Sequence, residues 1–342
     1  MKTTIKDIAR ECGISVSSVS MALSDKPNRI SAQTRAKVRE TAERLHYQPN
    51  MAAVSLVNKK SKMVGIVVND IRNTHISSLF MAINKELEEK GYSMICHVLN
   101  GEDISSNIKL IELIASENVS ALIWAKSLEL DMAEENEQLK KDMELLGIPI
   151  LTMDDFGLTC SGVTVRFDYE QGGYLATKHL LDRGHTRIGC LTGDSNYKVT
   201  QERMRGYKKA LEEYGLPYLK ELIYFGNYTM EAGYQALSYL MGQNVTAVFS
   251  FNDEMAFGLY QAARNYGVRI PKDVSVIGFD NVPFADVMEV PLSTVQVPIV
   301  EMGTFMGKEM ISLMEAETSV PRKTVLYKPD LLLRASTAGR DR

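Results

Sequence analysis

A chain of 342 residues, 45% apolar and 24% charged, is long enough for two or three domains with a buried core, and it holds no run of about 18 apolar residues that would span a membrane. Its net charge of −4 hides an asymmetry, because residues 1–60 hold 11 Lys and Arg against 5 Asp and Glu while the remainder holds 28 against 38. A small basic module ahead of an acidic body points to a polyanion as the partner of the module and not of the body.

Three short helices are predicted in residues 1–48. The first lies near Ile5–Glu11, with Asp7 favourable in its first turn. "CGI" makes a tight turn. The second helix runs from Val16 to about Leu23 with Ser15 as N-cap, and "SDKPN" breaks it. The third runs from about Ala32 to Leu45, with Ser31 as N-cap and Ala36, Val38, Ala42 and Leu45 among its core positions. Two helices joined by a short turn containing Gly form the helix-turn-helix pattern. Residues 49–60 read as a hinge helix and linker. Pro49 fixes a bend, Asn50 can cap a helix starting at Met51, and Met51–Val57 has the length of two helical turns, marginal in water without a partner or ligand.

From Met63 onward, apolar runs alternate with amphipathic stretches such as "SSLFMAINKELEEKG" and "MRGYKKALEEYG". The strand candidates are "MVGIVVN", "YSMICHVL", "ALIWA", "IPILTMD", "GVTVRFD", "RIGCLTG", "ELIYFG", "TAVFSFN" and "VSVIGFD". This alternation indicates parallel sheets covered on both faces. So many strands divide between two similar α/β lobes within residues 61–342, an N-subdomain of about 61–161 plus 293–323 and a C-subdomain of about 162–292 plus 324–342. The break falls near "DDFGLTCSG", and the chain is expected to cross back near "PLSTVQVP" and "KTVLYKP". Two such lobes make a cleft, and open α/β sheets place ligands at the carboxyl ends of strands.

Several chemistries lack their signatures. No G-x-G-x-x-G or G-K-[ST] loop follows a strand, and no G-x-S-x-G elbow is present. His46, His75, His97, His179 and His185 show no H-x-x-x-H spacing. Acids pair at Asp154/Asp155 and Asp253/Glu254, a pattern read as solvated or capping residues and not as a catalytic couple. Cys12, Cys96, Cys160 and Cys190 form no C-x-x-C pair, so buried free thiols are expected instead of a disulfide framework or zinc cluster. Neither a metal, a cofactor nor an enzymatic activity is expected. The opening "MKTTIKDIARECG" lacks the apolar core of a signal peptide, which implies a cytoplasmic, nucleoid-associated protein without a membrane partner.

A basic helix-turn-helix, a short hinge and a two-lobed body in that order resemble the lactose-repressor (LacI/GalR) family of bacterial transcription regulators. "TIKDIARECGISVSSVSMALS" is similar to the family's DNA-binding opening, and "SAQTRAKVRETAERLHYQPNMAAVSL" to its third helix and hinge. "GHTRIGCLTG", "RMRGYKKAL" and "IPKDVSVIGFDN" resemble the family's effector domain. The resemblance implies a fold of three-helix DNA-binding head, hinge helix and periplasmic-binding-protein-like α/β effector domain. It also implies a homodimer on pseudo-palindromic operator DNA, acting as a repressor, with its second helices in the major groove and its hinges in the minor groove. A small molecule in the cleft then alters operator affinity by binding two states differently. No heptad stretch near the end of the sequence suggests a tetramer, so a dimer is the default.

On a helical wheel, Val19, Ala22 and Leu23 share one side of the second helix, Ser17 and Met21 lie opposite, and Val16 sits at the edge. The resemblance places Val16, Ser17 and Met21 at base-reading positions and makes Ser15, Ser18 and Thr34 phosphate contacts. Better-known members carry an aromatic, amide or charged side chain at one or more of the three reading positions. Here none forms a bidentate bond; valine and methionine suit thymine methyls, and serine suits several bases. Leu56 matches the family's leucine wedge in the minor groove, and Ala53 a small residue that allows close approach there.

In the effector domain, the resemblance marks His75, Ile76, Asp154, Asp155, Tyr197, Arg203, Tyr228, Asn252 and Asp280 as the effector contacts. Most fall at or just beyond the carboxyl end of a predicted strand. Arg203, Asn252 and Asp280 suit a polyol, and the Tyr228 ring suits stacking on a sugar or base. An ion pair between Arg203 and Asp280 is compatible with that role. A sugar or sugar phosphate is the first expectation for the effector, with a nucleobase or nucleoside second and a protein corepressor third. The rival from a different class is a sugar-binding transport receptor, which shares the two-lobed body but predicts a signal peptide and no DNA-binding head. A sugar-converting enzyme is a more distant rival.

Overall fold

A computed structural model describes residues 3–24, 28–47, 61–99, 104–126, 133–154, 162–316 and 321–340. The chain divides into two units, Met1–Ser61 and Lys62–Arg342.

The first unit holds α1 (Ile5–Cys12), α2 (Val16–Leu23) and α3 (Ala32–Arg44). Thr4 and Asp7 close a capping box at the start of α1, with the Thr4 backbone N–H donating to Asp7 Oδ2 at 2.9 Å. Ser15 and Ser31 cap α2 and α3 as predicted, accepting from the backbone N–H of Ser18 and of Thr34, each at 3.1 Å. The core is small: Ile8, Ala9, Cys12, Val19, Ala22, Val38 and Ala42. Ala36, expected among these, is exposed. Val38, Thr41, Ala42 and Leu45 recur at helical spacing, and a residue two positions before Val38 falls on the opposite side of the helix. Arg35 anchors the end of α2, because its Nη1 donates to the Ser24 carbonyl (2.7 Å) and its Nη2 to Asn28 Oδ1 (3.0 Å), while Asn28 Nδ2 donates to the Met21 carbonyl (2.7 Å).

The second unit begins with β1 (Met63–Val68), α4 (Thr74–Glu89), β2 (Ser93–Val98), α5 (Ile104–Ser116), β3 (Ala121–Ala125), α6 (Ala133–Leu145), β4 (Ile150–Met153) and β5 (Gly162–Phe167). It continues with α7 (Tyr169–Asp182), β6 (Ile188–Thr192), α8 (Lys198–Glu213), β7 (Ile223–Phe225), α9 (Met230–Gly242), β8 (Ala247–Ser250), α10 (Asp253–Tyr266) and β9 (Ser275–Asp280). The last elements are β10 (Ser293–Gln296), α11 (Ile299–Glu315), β11 (Lys323–Tyr327) and β12 (Asp330–Leu332). All nine strand candidates form, as β1 to β9.

The strands make two six-stranded sheets, ordered β11–β5–β4–β3–β1–β2 and β12–β10–β9–β8–β6–β7. Every pair is parallel except β10 with β12. Strands such as β3 and β9 are buried along their whole length, as a sheet covered on both faces requires. The lobe boundaries differ from those predicted at 162, 293 and 324. β5 pairs with β4 in the first sheet, Leu151 opposite Val163, and β11 pairs with β5 there, Val325 opposite Val165. β10 pairs with β9 in the second sheet, Val295 opposite Phe279. The turn-rich stretch after β4 thus joins neighbours within one sheet; a strand's residue pattern records burial but not which sheet it enters. β12 is too short to show an alternation, and the sequence gives no sign of it.

Among the described residues no helix is long and apolar enough to cross a membrane, and no group of His, Cys, Asp and Glu is placed to hold a metal ion. Cys12 and Cys190 are buried free thiols, Cys96 is only half-buried, and Cys160 lies outside the described residues.

Candidate functional site: a reading helix and an interlobe cleft

On α2, burial of Val19 and Ala22 turns the opposite side outward: Val16 and Met21 are 41% and 42% exposed, and Ser15, Ser17 and Ser20 are exposed with them. Two hydroxyl pairs sit at helix starts, Ser15 Oγ with Ser18 Oγ at 2.9 Å on α2 and Ser31 Oγ with Thr34 Oγ1 at 2.8 Å on α3. Hydroxyls beside the free N–H groups of a helix N-terminus suit phosphate oxygens. Ala53 and Leu56 lie outside the described residues, as does Asp155.

The cleft cluster stands where strands end and helices begin. Arg203, on α8, is only 6% exposed. Its guanidinium carbon lies 4.1 Å from the Phe279 ring centre, 4.8 Å from that of Tyr169 and 5.6 Å from that of Tyr228. Nη2 donates to Asp280 Oδ1 at 3.4 Å and Nη1 to the Tyr228 hydroxyl at 3.3 Å, while the buried Nε has no hydrogen-bond partner among the described residues. Three ring faces and one carboxylate therefore fix the guanidinium plane, with the Nε–H left as a buried donor without a partner.

Tyr228 is held from several sides. Its hydroxyl shares a 2.6 Å hydrogen bond with Thr200 Oγ1. Asn252 caps α10, with Oδ1 accepting from the Met255 N–H (2.9 Å), and its Nδ2 donates to the Tyr228 carbonyl (3.0 Å). The Tyr228 ring lies against Gly193, at the end of β6, where any Cβ would overlap the ring carbons. The backbone here is strained: Asp154, Tyr228, Asp280 and Asn281 have φ of 49°, 67°, 108° and 56°. Strain of about 1–3 kcal/mol per residue persists where surrounding contacts over-determine it, as they do here.

Asp154, after β4, accepts from the Phe167 N–H at 3.0 Å and from the Tyr169 hydroxyl at 2.6 Å. Burial pushes its carboxyl up to about 6 against the pull of these bonds. Tyr169, Phe167 and Phe279 form an aromatic group with ring centres 5.1 to 6.1 Å apart. His75, in the first turn of α4, points Nδ1 toward Asp280 Oδ1 at 4.0 Å. Burial, with Arg203 close by, lowers its imidazole to about 3, so it is neutral at physiological pH. Beside it, Glu254 Oε1 on α10 accepts from the Thr74 N–H at 3.2 Å, a hydrogen bond that joins the two lobes. Ile76 and Tyr197, both half-buried, pack against the hydrophobic core.

Of the residues the sequence singles out, Arg203, Tyr228, Asn252, Asp280 and His75 thus share one cluster, and Asp154 reaches it through Tyr169. The expected Arg203–Asp280 pair is made. Of the paired acids, read from the sequence as solvated or capping, Asp253 is wholly buried and Asp154 is 4% exposed, while Glu254 is half-buried. Backbone and hydroxyl donors compensate them, which carboxylate spacing alone does not reveal. Tyr169, Phe279, Thr200 and Glu254 are contributors that sequence reasoning missed. The position of Glu254 directly after the capping Asn252–Asp253 was the one available signal, since residues at the start of a helix following a strand face the cleft.

Asp253 supplies a pH test. Its Oδ1 accepts from the Thr294 hydroxyl (2.7 Å) and its Oδ2 from the Val282 N–H (2.9 Å), and burial, then repulsion from Asp280, push the carboxyl up to about 8. A carboxyl raised on folding takes up a proton that the unfolded chain releases, so its contribution is lost as pH rises from its ordinary range through about 8. His75 and His179, lowered to about 3 and 4, act in the opposite sense but only below the ordinary histidine range. The melting temperature is therefore expected to fall between about pH 6.5 and 8, and Asp253→Asn to flatten that fall. A parallel decline in both proteins would count against the buried proton.

The comparisons agree with this architecture. Residues 4–50 match the family model described as bacterial regulatory proteins, lacI family, and residues 177–337 match a periplasmic binding protein-like domain. The chain is 34% identical to the HTH-type transcriptional regulator DegA of Bacillus subtilis (strain 168), over 99% of both chains. Among solved structures, the lac repressor dimer bound to operator and the anti-inducer ONPF is similar in fold, with a TM-score of 0.85 at 22% identity over 99% of this chain and 100% of that one. The transcriptional regulator CelR–cellobiose complex has a TM-score of 0.71 at 25% identity, covering 98% of this chain and 100% of that one. A helix-turn-helix head and a two-lobed binding body in one chain, matched end to end by a regulator at this identity, make it a transcription regulator and not an enzyme: the chain belongs to the lacI family of bacterial regulatory proteins.

Proposed function

We propose that the chain binds a pseudo-palindromic operator as a homodimer, represses transcription from it, and is controlled by a sugar or sugar derivative held in the interlobe cleft. The observation that carries the effector reading is the pair of buried, unpartnered polar atoms, His75 Nδ1 from one lobe and Arg203 Nε from the other, beside a fixed aromatic group. The cellobiose of the CelR complex favours a sugar in a cleft of this fold. Arg203, Asp280, Tyr228 and His75 are the proposed contacts, Asn252 and Asp154 hold them in place, and Ile76, Tyr197 and Asp155 complete the proposed set.

On DNA, Val16, Ser17 and Met21 meet base edges, and Ser15, Ser18 and Thr34 meet phosphates. With no bidentate reader on α2, specificity rests on thymine methyls and on the deformability of the step that Leu56 wedges open, with Ala53 allowing the approach. Titration of DNA from upstream of the protein's own gene at several salt concentrations tests the reading. Binding should weaken linearly with salt on logarithmic axes, and Leu56→Ala should weaken it more than about tenfold at fixed salt. Salt-insensitive binding, or unchanged affinity of the Leu56 variant, would remove the respective claim. A thermal-shift screen of sugars tests the effector.

A further inference from the structure

Resting on the effector reading above, we propose that Glu254 and Asp280 form an acidic wall on the second lobe. This wall makes the cleft select an effector that presents an uncharged hydroxyl between His75 and Arg203, and reject one that presents a phosphate or carboxylate there. The buried Asp253 beside the wall holds its proton up to about pH 8.

Two unpartnered atoms set the requirement. His75 Nδ1 and Arg203 Nε are buried, and the two side chains are 10% and 7% exposed. Both side chains converge on the same oxygen, Asp280 Oδ1, which lies 4.0 Å from His75 Nδ1 and 3.4 Å from Arg203 Nη2. Nε of Arg203 can only donate. Nδ1 of a neutral imidazole donates in one tautomer and accepts in the other. A hydroxyl has one proton and two lone pairs, so it can accept from Arg203 Nε and from a His75 Nδ1–H while donating to Asp280, or in the other tautomer accept from Arg203 and donate to His75. A phosphate or carboxylate oxygen can only accept, and above about pH 7, where Asp280 is charged, it would face Asp280 with no proton between them.

The surrounding charge points the same way. Asp253 is wholly buried beneath Asp280, bonded to Thr294 and Val282. Glu254 faces the other lobe at Thr74. Burial raises all three carboxyls above their ordinary range, and the charge of Asp280 raises the other two further. Arg203 is the cation of this group, and it is already committed to Asp280 and to three ring faces. A phosphate would add a charge of about −1.5 to −2 where like charges already oppose one another in a poorly screened site.

The test is isothermal titration of the full-length protein at about pH 8, where Asp280 is charged, with matched sugars: ribose and ribose 5-phosphate, glucose and glucose 6-phosphate, glucose and glucuronic acid, and cellobiose and cellobionic acid. The neutral member of a pair that binds is expected to bind at least about a hundredfold more tightly than its anionic partner. Glu254→Gln keeps an acceptor for the Thr74 N–H and removes one negative charge, so it should lower that ratio at least about threefold, and Glu254→Ala, which removes the same charge, replaces it if the first variant melts early. An anionic member that binds as tightly as its neutral partner overturns the wall and leaves the effector reading standing. So does a Glu254→Gln variant whose two affinities change by the same factor. Silence from every sugar, neutral and anionic, overturns both.

Discussion

Replacing Arg203 with methionine is expected to destabilise the second unit by about 2–3 kcal/mol near pH 8 and to abolish effector binding. Methionine retains an unbranched stem against Phe279 and Tyr169, so the packing loss is small. What it removes is the guanidinium 3.4 Å from Asp280, with its hydrogen bond to Tyr228, which leaves a buried carboxyl that must either stay charged without its counter-charge or take up a proton. Burial already pushes that carboxyl up to about 7 despite the opposing pull of Arg203, and without Arg203 it rises further. A neutral acid needs no counter-charge, so the deficit should shrink as pH falls below about 7 and be markedly smaller near pH 5.5. Urea denaturation of the wild type, Arg203→Met and the double variant Arg203→Met/Asp280→Asn at both pH values measures this. The double variant should recover part of the loss at pH 8, because it no longer buries an unpaired charge. A single variant within about 1 kcal/mol of wild type at pH 8 would mean that the rings alone hold the cluster together.

Gly206→Val should be comparably severe for a steric reason. Gly173 on α7 and Gly206 on α8 bring the two helix backbones into contact: a Cβ on Gly173 would overlap the carbonyl of Arg203, and one on Gly206 the carbonyl of Glu170. Backbone cannot rotate away as a side-chain end can, so the helices must separate. The expected cost is about 3 kcal/mol, with Gly206→Ala nearer 2. The same shift lifts Arg203 off Phe279, so ligand binding should fall along with stability. Gly242→Ala is the comparison, since nothing lies within 4 Å of a Cβ at the end of α9. It should be neutral or stabilising by up to about 1 kcal/mol. Equal melting temperatures for Gly206→Val and Gly242→Ala would show that the helix contact is loose.

These two variants also mark where sequence reading stops. Local features were legible because they depend on residues close in the chain. Ser15 and Ser31 cap α2 and α3 through bonds three residues away, and the spacing of Val19 and Ala22 alone turns Val16, Ser17 and Met21 outward. The first nine strands announce themselves by apolar runs that only a sheet covered on both faces can bury. Ala36 was misjudged because a small apolar residue fits a core and a surface equally well.

The cleft is different in kind. That Arg203, Asp280, Tyr228, Asn252 and His75 meet could be expected from resemblance, since each follows a strand whose carboxyl end opens on the cleft. The details could not: Phe279 and Tyr169 as the faces that hold Arg203, Glu254 reaching 180 positions back to Thr74, and Asp253 buried with its proton. The sequence by itself determined the helices of the first unit, the first nine strands, the caps of α2 and α3 and the outward face of α2, because each is settled by neighbours within a turn or two. Only the tertiary structure decided which sheet β5, β10 and β11 enter and which polar atoms are left without partners. Strand pairing, burial and local dielectric are set by residues far apart in the chain, and no local pattern records them.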